Sequence, residues 1–374
     1  MSYLPFAKPT IDEDTIAAVA DTLRSGWIAS GPRVHEFEKA LSTYLGGRSV
    51  RTFTSATGAL EVALQACGIG PGDEVIVPAM TFAASANVVV RVGARPVFID
   101  VQLDTRNLDP DRLEAAITKR TRAIMPVHFA GLPVDMQRIY AIADQHKLRI
   151  IEDAAHAIGT RWQGKLIGSF GDIVSFSFHP NKNMTTIEGG ALSLPSQAEL
   201  KTVELQRFHG LVRDADGNAD VVMAGGKYNM SDVSARIGIA QLSQLDGFNA
   251  KRRELAGRYF ERFETDFPGM LPARGDDGHS WHIFAPLLPF ERTALSRPQF
   301  IKAMHEREIG IGVHYPAMHL FSFYRKLGYK DGDFPNAERI GREIVTLPLF
   351  PTMQLADVDR VCDAVQELIR VEHR

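Results

Sequence analysis

The chain predicts an α/β fold, with a large domain built on a mostly parallel sheet between helices and a smaller α+β domain towards the C-terminus. Three observations predict it. From about residue 50, short apolar or β-branched runs alternate with helical windows, the pattern of parallel strands joined by crossover helices. Several of the runs are mostly apolar, as strands buried on both faces must be. After about residue 265 the alternation gives way to short strand-like runs mixed with helices. With 374 residues, 45% hydrophobic and 23% charged, the chain is large enough for more than one domain and a sizeable core.

The elements follow in order. Residues 1–12 read as an N-terminal arm with prolines at 5 and 9. Residues 11–23 read as a helix, with Asp12, Glu13 and Asp14 at its start and Arg24 near its end, where the helix dipole favours them. A glycine-punctuated loop carries Trp27, and 34–44 reads as a second helix. Strand runs are predicted at 50–53, 74–77, 96–99, 122–127 and 148–151, and helices at 58–66, 83–92, 110–116 and 134–146. A further run, 173–178, enters a polar turn, and 191–194 begins a new strand. Residues 212–226 lose periodicity and become rich in Asp, Gly and Ala, which predicts a mobile loop, a candidate flap beside the active site. Residues 231–263 read as a long helix with a break near Gly247, crossing between domains. Beyond it, strands are expected at 281–287, 311–314 and 344–347, and helices at 297–307 and 356–370. The expected division is an arm at 1–12, a large domain at 13–250 and a small domain at 251–374.

Composition removes several function classes. A formal net charge of −3 offers nothing to nucleic acid or an anionic membrane. Two cysteines, Cys67 and Cys362, cannot make a disulfide framework or an iron–sulfur site and suit a reducing cytoplasm. No apolar run is long enough to span a bilayer, and the first residues lack a signal-peptide pattern. No His, Cys and Asp cluster has metal-ligand spacing, so no metal is expected.

In sheets of this kind ligands bind beyond the carboxyl ends of the strands. After the first run, Thr54-Ser-Ala-Thr-Gly-Ala59 opens a helix whose free N–H groups can cradle a phosphate. After the second, Phe82 stands at the rim. After the fifth, Asp153 stands at a strand end and His156 follows on the next turn. Lys182 lies in the polar turn after 173–178, closed by Gly189 and Gly190. His128, His179 and His209 are read as loop-holding residues. A phosphate cradle, an aromatic plate, a strand-end carboxylate and a loop lysine are the parts that a pyridoxal 5'-phosphate site requires.

The chain resembles the DegT-type pyridoxal-phosphate nucleotide-sugar aminotransferases, which have the aspartate-aminotransferase-like fold (fold type I). The resemblance is carried by Ser25-Gly-Trp27, Ser55-Ala-Thr57, Pro78-Ala-Met-Thr-Phe82, Glu152-Asp-Ala-Ala-His156, Phe176-Ser-Phe-His-Pro180 with Lys182-Asn183, Glu188-Gly-Gly190 and Lys227-Tyr-Asn-Met-Ser231. It implies that Lys182 holds the cofactor covalently and moves the proton. It further implies that Asp153 pairs with the pyridine nitrogen, that Phe82 stacks on the ring and that His156 lies beside it. Thr57 and Gly58 would bind the phosphate through N–H groups and Ser177 through its hydroxyl. Asn229 would reach the phosphate of the neighbouring subunit, making a homodimer with shared sites. Trp27, His314 and Tyr315 become candidate substrate contacts. Gly58 stands where alanine is common in the family, and Ile187 where glycine is common.

The implied reaction takes the amino group from L-glutamate, releases 2-oxoglutarate, passes through the pyridoxamine 5'-phosphate form and delivers the group to a nucleotide-linked ketosugar. Within the family the likeness is to the aminotransferases that make UDP-4-amino-4-deoxy-L-arabinose for lipid A modification. It rests on Leu4-Pro-Phe6, Phe208-His-Gly-Leu211, Trp281-His282 and Pro348-Leu-Phe-Pro351, beside motifs already named. An acceptor of the UDP- or dTDP-4-keto-6-deoxyhexose kind is the alternative. Two other readings are a pyridoxal-phosphate sugar dehydratase, which Lys182 and the shortage of cysteines disfavour, and a non-catalytic regulator, which the lack of a basic DNA-binding segment disfavours.

Overall fold

The strands and helices lie largely where the hydrophobic pattern places them. In the computed structural model residues 2–264 and 269–369 are described. The strands are β1 (Ser49–Phe53), β2 (Glu74–Pro78), β3 (Arg95–Ile99), β4 (Thr121–Ile124), β5 (Arg149–Asp153), β6 (Arg161–Trp162), β7 (Lys165–Leu166), β8 (Ile173–Ser177), β9 (Gly190–Leu194), β10 (Leu211–Arg213) and β11 (Ala219–Val221). The helices are α1 (Glu13–Ser25), α2 (Pro32–Tyr44), α3 (Ala56–Ala66), α4 (Ala83–Arg91), α5 (Met136–His146), α6 (Gln197–Arg207), α7 (Asp232–Phe263), α8 (Arg297–Glu306), α9 (Ser322–Arg325), α10 (Pro335–Glu343) and α11 (Leu355–Leu368). The end of the helix expected at 356–370 lies outside the described residues.

A seven-stranded sheet runs in the order β1-β9-β8-β5-β4-β2-β3. Only β9 pairs antiparallel, with β1 on one side and β8 on the other, so the other six strands share one direction. Their carboxyl ends therefore form one rim. That rim carries the α3 start after β1, Phe82 after β2, Asp153 on β5 and Ser177 on β8. Because β9 is reversed, its first residue, Gly190, arrives at the same rim, opposite Phe53 and Ser177.

Local chemistry sets the ends. Asp12 accepts the Thr15 N–H at 2.8 Å, so α1 starts at Glu13 rather than at residue 11. Gly26, with φ +79, stops it in the left-handed region that glycine occupies without penalty. Ser196 caps α6 by accepting from Ala198 and Glu199, a capping signal in a segment whose apolar face is too weak to predict a helix. The helix α10 was likewise absent from the expected pattern.

Four expectations are corrected. Residues 110–116 form two 3₁₀ turns: Pro110 and Leu113 are buried, but Asp111, Arg112, Glu114 and Ala115 are exposed, so the segment offers no continuous apolar face for an α-helix. The expected loop at 212–226 contains the β10–β11 hairpin; Asp214 closes its turn by accepting from the N–H groups of Asp216 and Asn218. The helix α7 runs unbroken for 32 residues through Gly247. Its first half packs Ala235 and Leu245 beneath the sheet, and its second half packs Tyr259, Phe260 and Phe263 against Phe284, Phe300 and Val361, so neither side can bend free. The strands expected at 281–287, 311–314 and 344–347 shrink to the isolated bridges Phe284–Leu347, Leu287–Ile344 and Gly312–Thr346. Pro286, Pro316 and Pro348 lie in or beside these runs and lack the N–H that a ladder needs.

Candidate active site

The rim encloses a cavity of about 260 Å³. Its walls bring together Thr57, Phe82, Asp153, His156, Ser177, Lys182, His314 and Tyr315, residues from five separate stretches of chain. The turn bearing Lys182 is tied down by its backbone. Phe178 donates to the Gly189 carbonyl and accepts from Thr186 N–H, both at 2.9 Å, and Lys182 N–H donates to the His179 carbonyl at 2.9 Å. A Cβ on Gly190 would lie 2.4 Å from the Ala56 nitrogen, so only glycine lets this turn meet the start of α3.

Burial pulls the Lys182 ammonium down from 10.5 to about 8, against the upward pull of the Asp153 carboxylate. Asp153 is buried. Its Oδ2 accepts from Ser85 Oγ at 2.7 Å and its Oδ1 from the Ala155 N–H at 3.1 Å. Each carboxylate oxygen keeps a second lone pair for a cationic partner. Ser85, itself 2.8 Å from Thr81 Oγ1, was not singled out from the sequence. Its signal was its place three residues after Phe82 in the first turn of α4, on the same side of the helix. Phe82 is 58% exposed because it fronts the cavity, and its ring centroid lies 5.7 Å from that of Tyr315.

His156 is buried and held from both ring nitrogens. The Ala130 N–H donates to Nδ1 at 3.2 Å, and Nε2 lies 3.1 Å from the Tyr315 hydroxyl. Burial first, then the positive charge near Lys182 and His314, keeps the imidazole well below its ordinary range and neutral. His314 Nδ1 sits 2.8 Å from Thr346 Oγ1, and burial with nearby Lys182 brings the ring to about 4. Burial raises the Tyr315 hydroxyl, with Asp153 adding to the shift. His282 went unassigned from the sequence, yet its ring packs 4.2 Å from His156 and its Nδ1 lies 3.0 Å from Asn183 Oδ1. Of the loop histidines, His128 is buried between Glu152 and the Val134 N–H, His179 meets Asn181, and His209 N–H donates to the Gly226 carbonyl.

Three predicted residues stand elsewhere. Gly58 gives its N–H to Ser55 Oγ at 3.0 Å, leaving Ala56 and Thr57 on the cavity wall to offer first-turn N–H groups. Tyr228 occupies the space where a Gly58 side chain would go, its Cδ1 lying 2.9 Å from the Cβ position. Asn229 bonds Ser30 and Lys227 away from its own chain's cavity. Trp27 is 63% exposed and does not line the cavity.

The donor set suits pyridoxal phosphate: an amine of lowered basicity, a buried carboxylate with free lone pairs, an aromatic face, and a helix start beside a serine hydroxyl.

Residues 9–366 match the DegT/DnrJ/EryC1/StrS aminotransferase family. The chain is 40% identical over 380 residues to the spore coat polysaccharide biosynthesis protein SpsC of Bacillus subtilis (strain 168), covering 98% of this chain and 97% of the relative. Its structure is similar to the pyridoxal-phosphate form of the putative sugar aminotransferase Spr1654 from Streptococcus pneumoniae, with TM-score 0.92, 33% identity and 98% of each chain covered. It is also similar to DesV of S. venezuelae, with TM-score 0.90, 34% identity and 100% of each chain covered. The chain belongs to the DegT/DnrJ/EryC1/StrS aminotransferase family and is a pyridoxal-phosphate-dependent sugar aminotransferase of fold type I.

Proposed function

We propose that this enzyme moves the amino group of L-glutamate to the 4-keto carbon of a nucleotide-linked sugar, with a UDP-4-ketopentose such as UDP-4-keto-L-arabinose as acceptor. The observation that carries the reading is Lys182 facing Asp153 in one small cavity beside the start of α3. The motifs shared with enzymes that make UDP-4-amino-4-deoxy-L-arabinose support the pentose. The likeness to SpsC, a spore coat polysaccharide biosynthesis protein, supports a role in carbohydrate biosynthesis more broadly. On this reading the product is a precursor for lipid A modification, and the reaction runs in the cytoplasm, where two free thiols persist.

Bound pyridoxal phosphate supplies an electron sink conjugated to the substrate's amino carbon. The chain does the rest. Lys182 anchors the cofactor, and its freed Nζ takes and returns the proton. Asp153, held by Ser85 and Ala155, keeps the pyridine nitrogen protonated. Phe82 supports the ring face and His156 flanks it. Ala56, Thr57 and Ser177 donate to the phosphate, and Asn229 of the partner subunit completes that cradle in a homodimer with shared sites.

The test is a panel of UDP- and dTDP-4-ketosugars with L-glutamate, products identified by mass. The UDP-4-ketopentose is expected to lead in kcat/KM by about tenfold, close to the 1.4 kcal/mol that one good contact supplies. A 4-keto-6-deoxyhexose leading instead overturns the pentose, and transfer to none of them overturns the acceptor class. Lys182→Ala is expected to keep cofactor binding and to lose on the order of 1,000-fold or more in turnover.

A further inference from the structure

We propose that Tyr315 is a one-way hydrogen-bond donor into the cavity, locked in that role by His156, and that it takes a carboxylate or carbonyl oxygen of a bound substrate. The lock begins at the backbone. A peptide N–H can only donate, so the Ala130 N–H at 3.2 Å makes His156 Nδ1 an acceptor. In a neutral imidazole the proton then sits on Nε2. That nitrogen lies 3.1 Å from the Tyr315 hydroxyl, so it donates and the hydroxyl oxygen accepts. The tyrosine proton cannot be given back to His156 and must point elsewhere. Tyr315 otherwise meets the rings of Phe82, Phe129 and His314, and His314 Nδ1 is already engaged with Thr346. Both Tyr315 and His156 line the cavity, which leaves the cavity as the place for the proton.

The chain is built to stay in this state. The Ala130 N–H is presented by a fixed turn: Phe129 N–H donates to Asn107 Oδ1 at 2.9 Å, Thr160 Oγ1 donates to the Gly131 carbonyl at 2.8 Å, and His282 N–H donates to the Ala130 carbonyl at 2.8 Å. The His156 ring is backed by His282, whose own tautomer is set as well. Asn183 Nδ2 donates to Asn249 Oδ1 and to the Ser280 carbonyl, so Asn183 Oδ1 accepts from His282 Nδ1–H. A tyrosine in water offers donor and acceptor alike. This one offers only its proton, and so selects an oxygen that has lone pairs to share. The inference rests on the cavity being the transamination site and not on which sugar enters it.

Two measurements test it. In cofactor-loaded protein labelled with ¹⁵N-histidine, the His156 signals, identified by their loss in His156→Gln, are expected to show Nε2 protonated and Nδ1 bare; the opposite tautomer overturns the proposal. Each half-reaction is then followed in single turnover by the visible absorbance of the cofactor. Tyr315→Phe is expected to slow one of them about tenfold, the amino-acid half if the acceptor is a carboxylate and the ketosugar half if it is a carbonyl. His156→Leu should give the same loss and add nothing in the double variant, because both break one chain. His156→Gln should recover most of it, since Oε1 can accept from Ala130 while Nε2 donates to Tyr315. Rates of Tyr315→Phe within about twofold of the wild type in both halves, or losses that multiply in the double variant, overturn the proposal. Should no ketosugar react, the acceptor reading fails, while the tautomer and the amino-acid half-reaction still decide this one.

Discussion

Lys182 is a lysine that gives up its proton early. Desolvation costs the ammonium more than Asp153 returns, so the amine is half neutral near pH 8 rather than 10.5. Only the neutral amine attacks an aldehyde. Condensation of the cofactor-free protein with pyridoxal phosphate should therefore accelerate as pH rises and reach half its limiting rate near pH 8, measured by stopped-flow absorbance. Asp153→Asn removes the charge that holds the ammonium up, so the midpoint should move below that of the wild type. A midpoint close to 10.5 would mean that the side chain is solvated like a surface lysine. Asp153 itself is oriented by Ser85, a residue without charge whose importance appears only where its hydroxyl ends up.

Two glycines behave oppositely at the scale of elements. Gly190 opens β9 where the Ala56 nitrogen and the Ser55 carbonyl carbon lie 2.4 and 2.6 Å from a would-be Cβ. Both are backbone atoms and cannot swing away. Gly190→Ala should cost about 2–3 kcal/mol of stability and weaken cofactor binding by pushing α3 off the rim. Gly247 is exposed in mid-α7, and apart from the local backbone of its own helix and its two chain neighbours no atom lies within 4 Å of its Cβ position. Gly247→Ala should raise stability by about 0.5–1 kcal/mol, since alanine loses less backbone freedom in a helix. Thermal unfolding of the two variants decides both, and equal stabilities would contradict the packing described for β9 and α3.

For the whole molecule, the placement of Asn229 matters most. It does not line the cavity of its own chain and is bonded to Ser30, which fits its proposed use by a partner subunit. Shared sites make a sharp expectation. On the proposed roles, Lys182→Ala would disable the site of its own chain, and Asn229→Ala would disable the site of its partner. Refolding the two inactive variants together in equal amounts should restore about a quarter of wild-type activity, because half the dimers are mixed and each holds one complete site. No recovery would mean that each chain builds its site alone.

The amino-acid sequence by itself determined where the strands of the main sheet run and which residues stand at their ends. Those signals are local: β-branched and apolar runs, helical spacing and turn residues. Because parallel strands put all their carboxyl ends on one rim, Phe82, Asp153 and Lys182 were legible as one site from the sequence, and the family resemblance added Ser177. Tertiary structure alone decided the remainder. The reversal of β9 brought Gly190 against Ser55 and Ala56. Packing on both sides kept α7 whole through Gly247, and proline reduced the outer strands to single bridges. Ser55 withdrew the Gly58 N–H from the cavity. The proton on His156 was placed by Ala130 and Tyr315, the latter 159 residues away in the chain. Propensity and periodicity report on neighbours within a turn or two, whereas burial and hydrogen-bond partners depend on which distant segments the folded chain brings into contact.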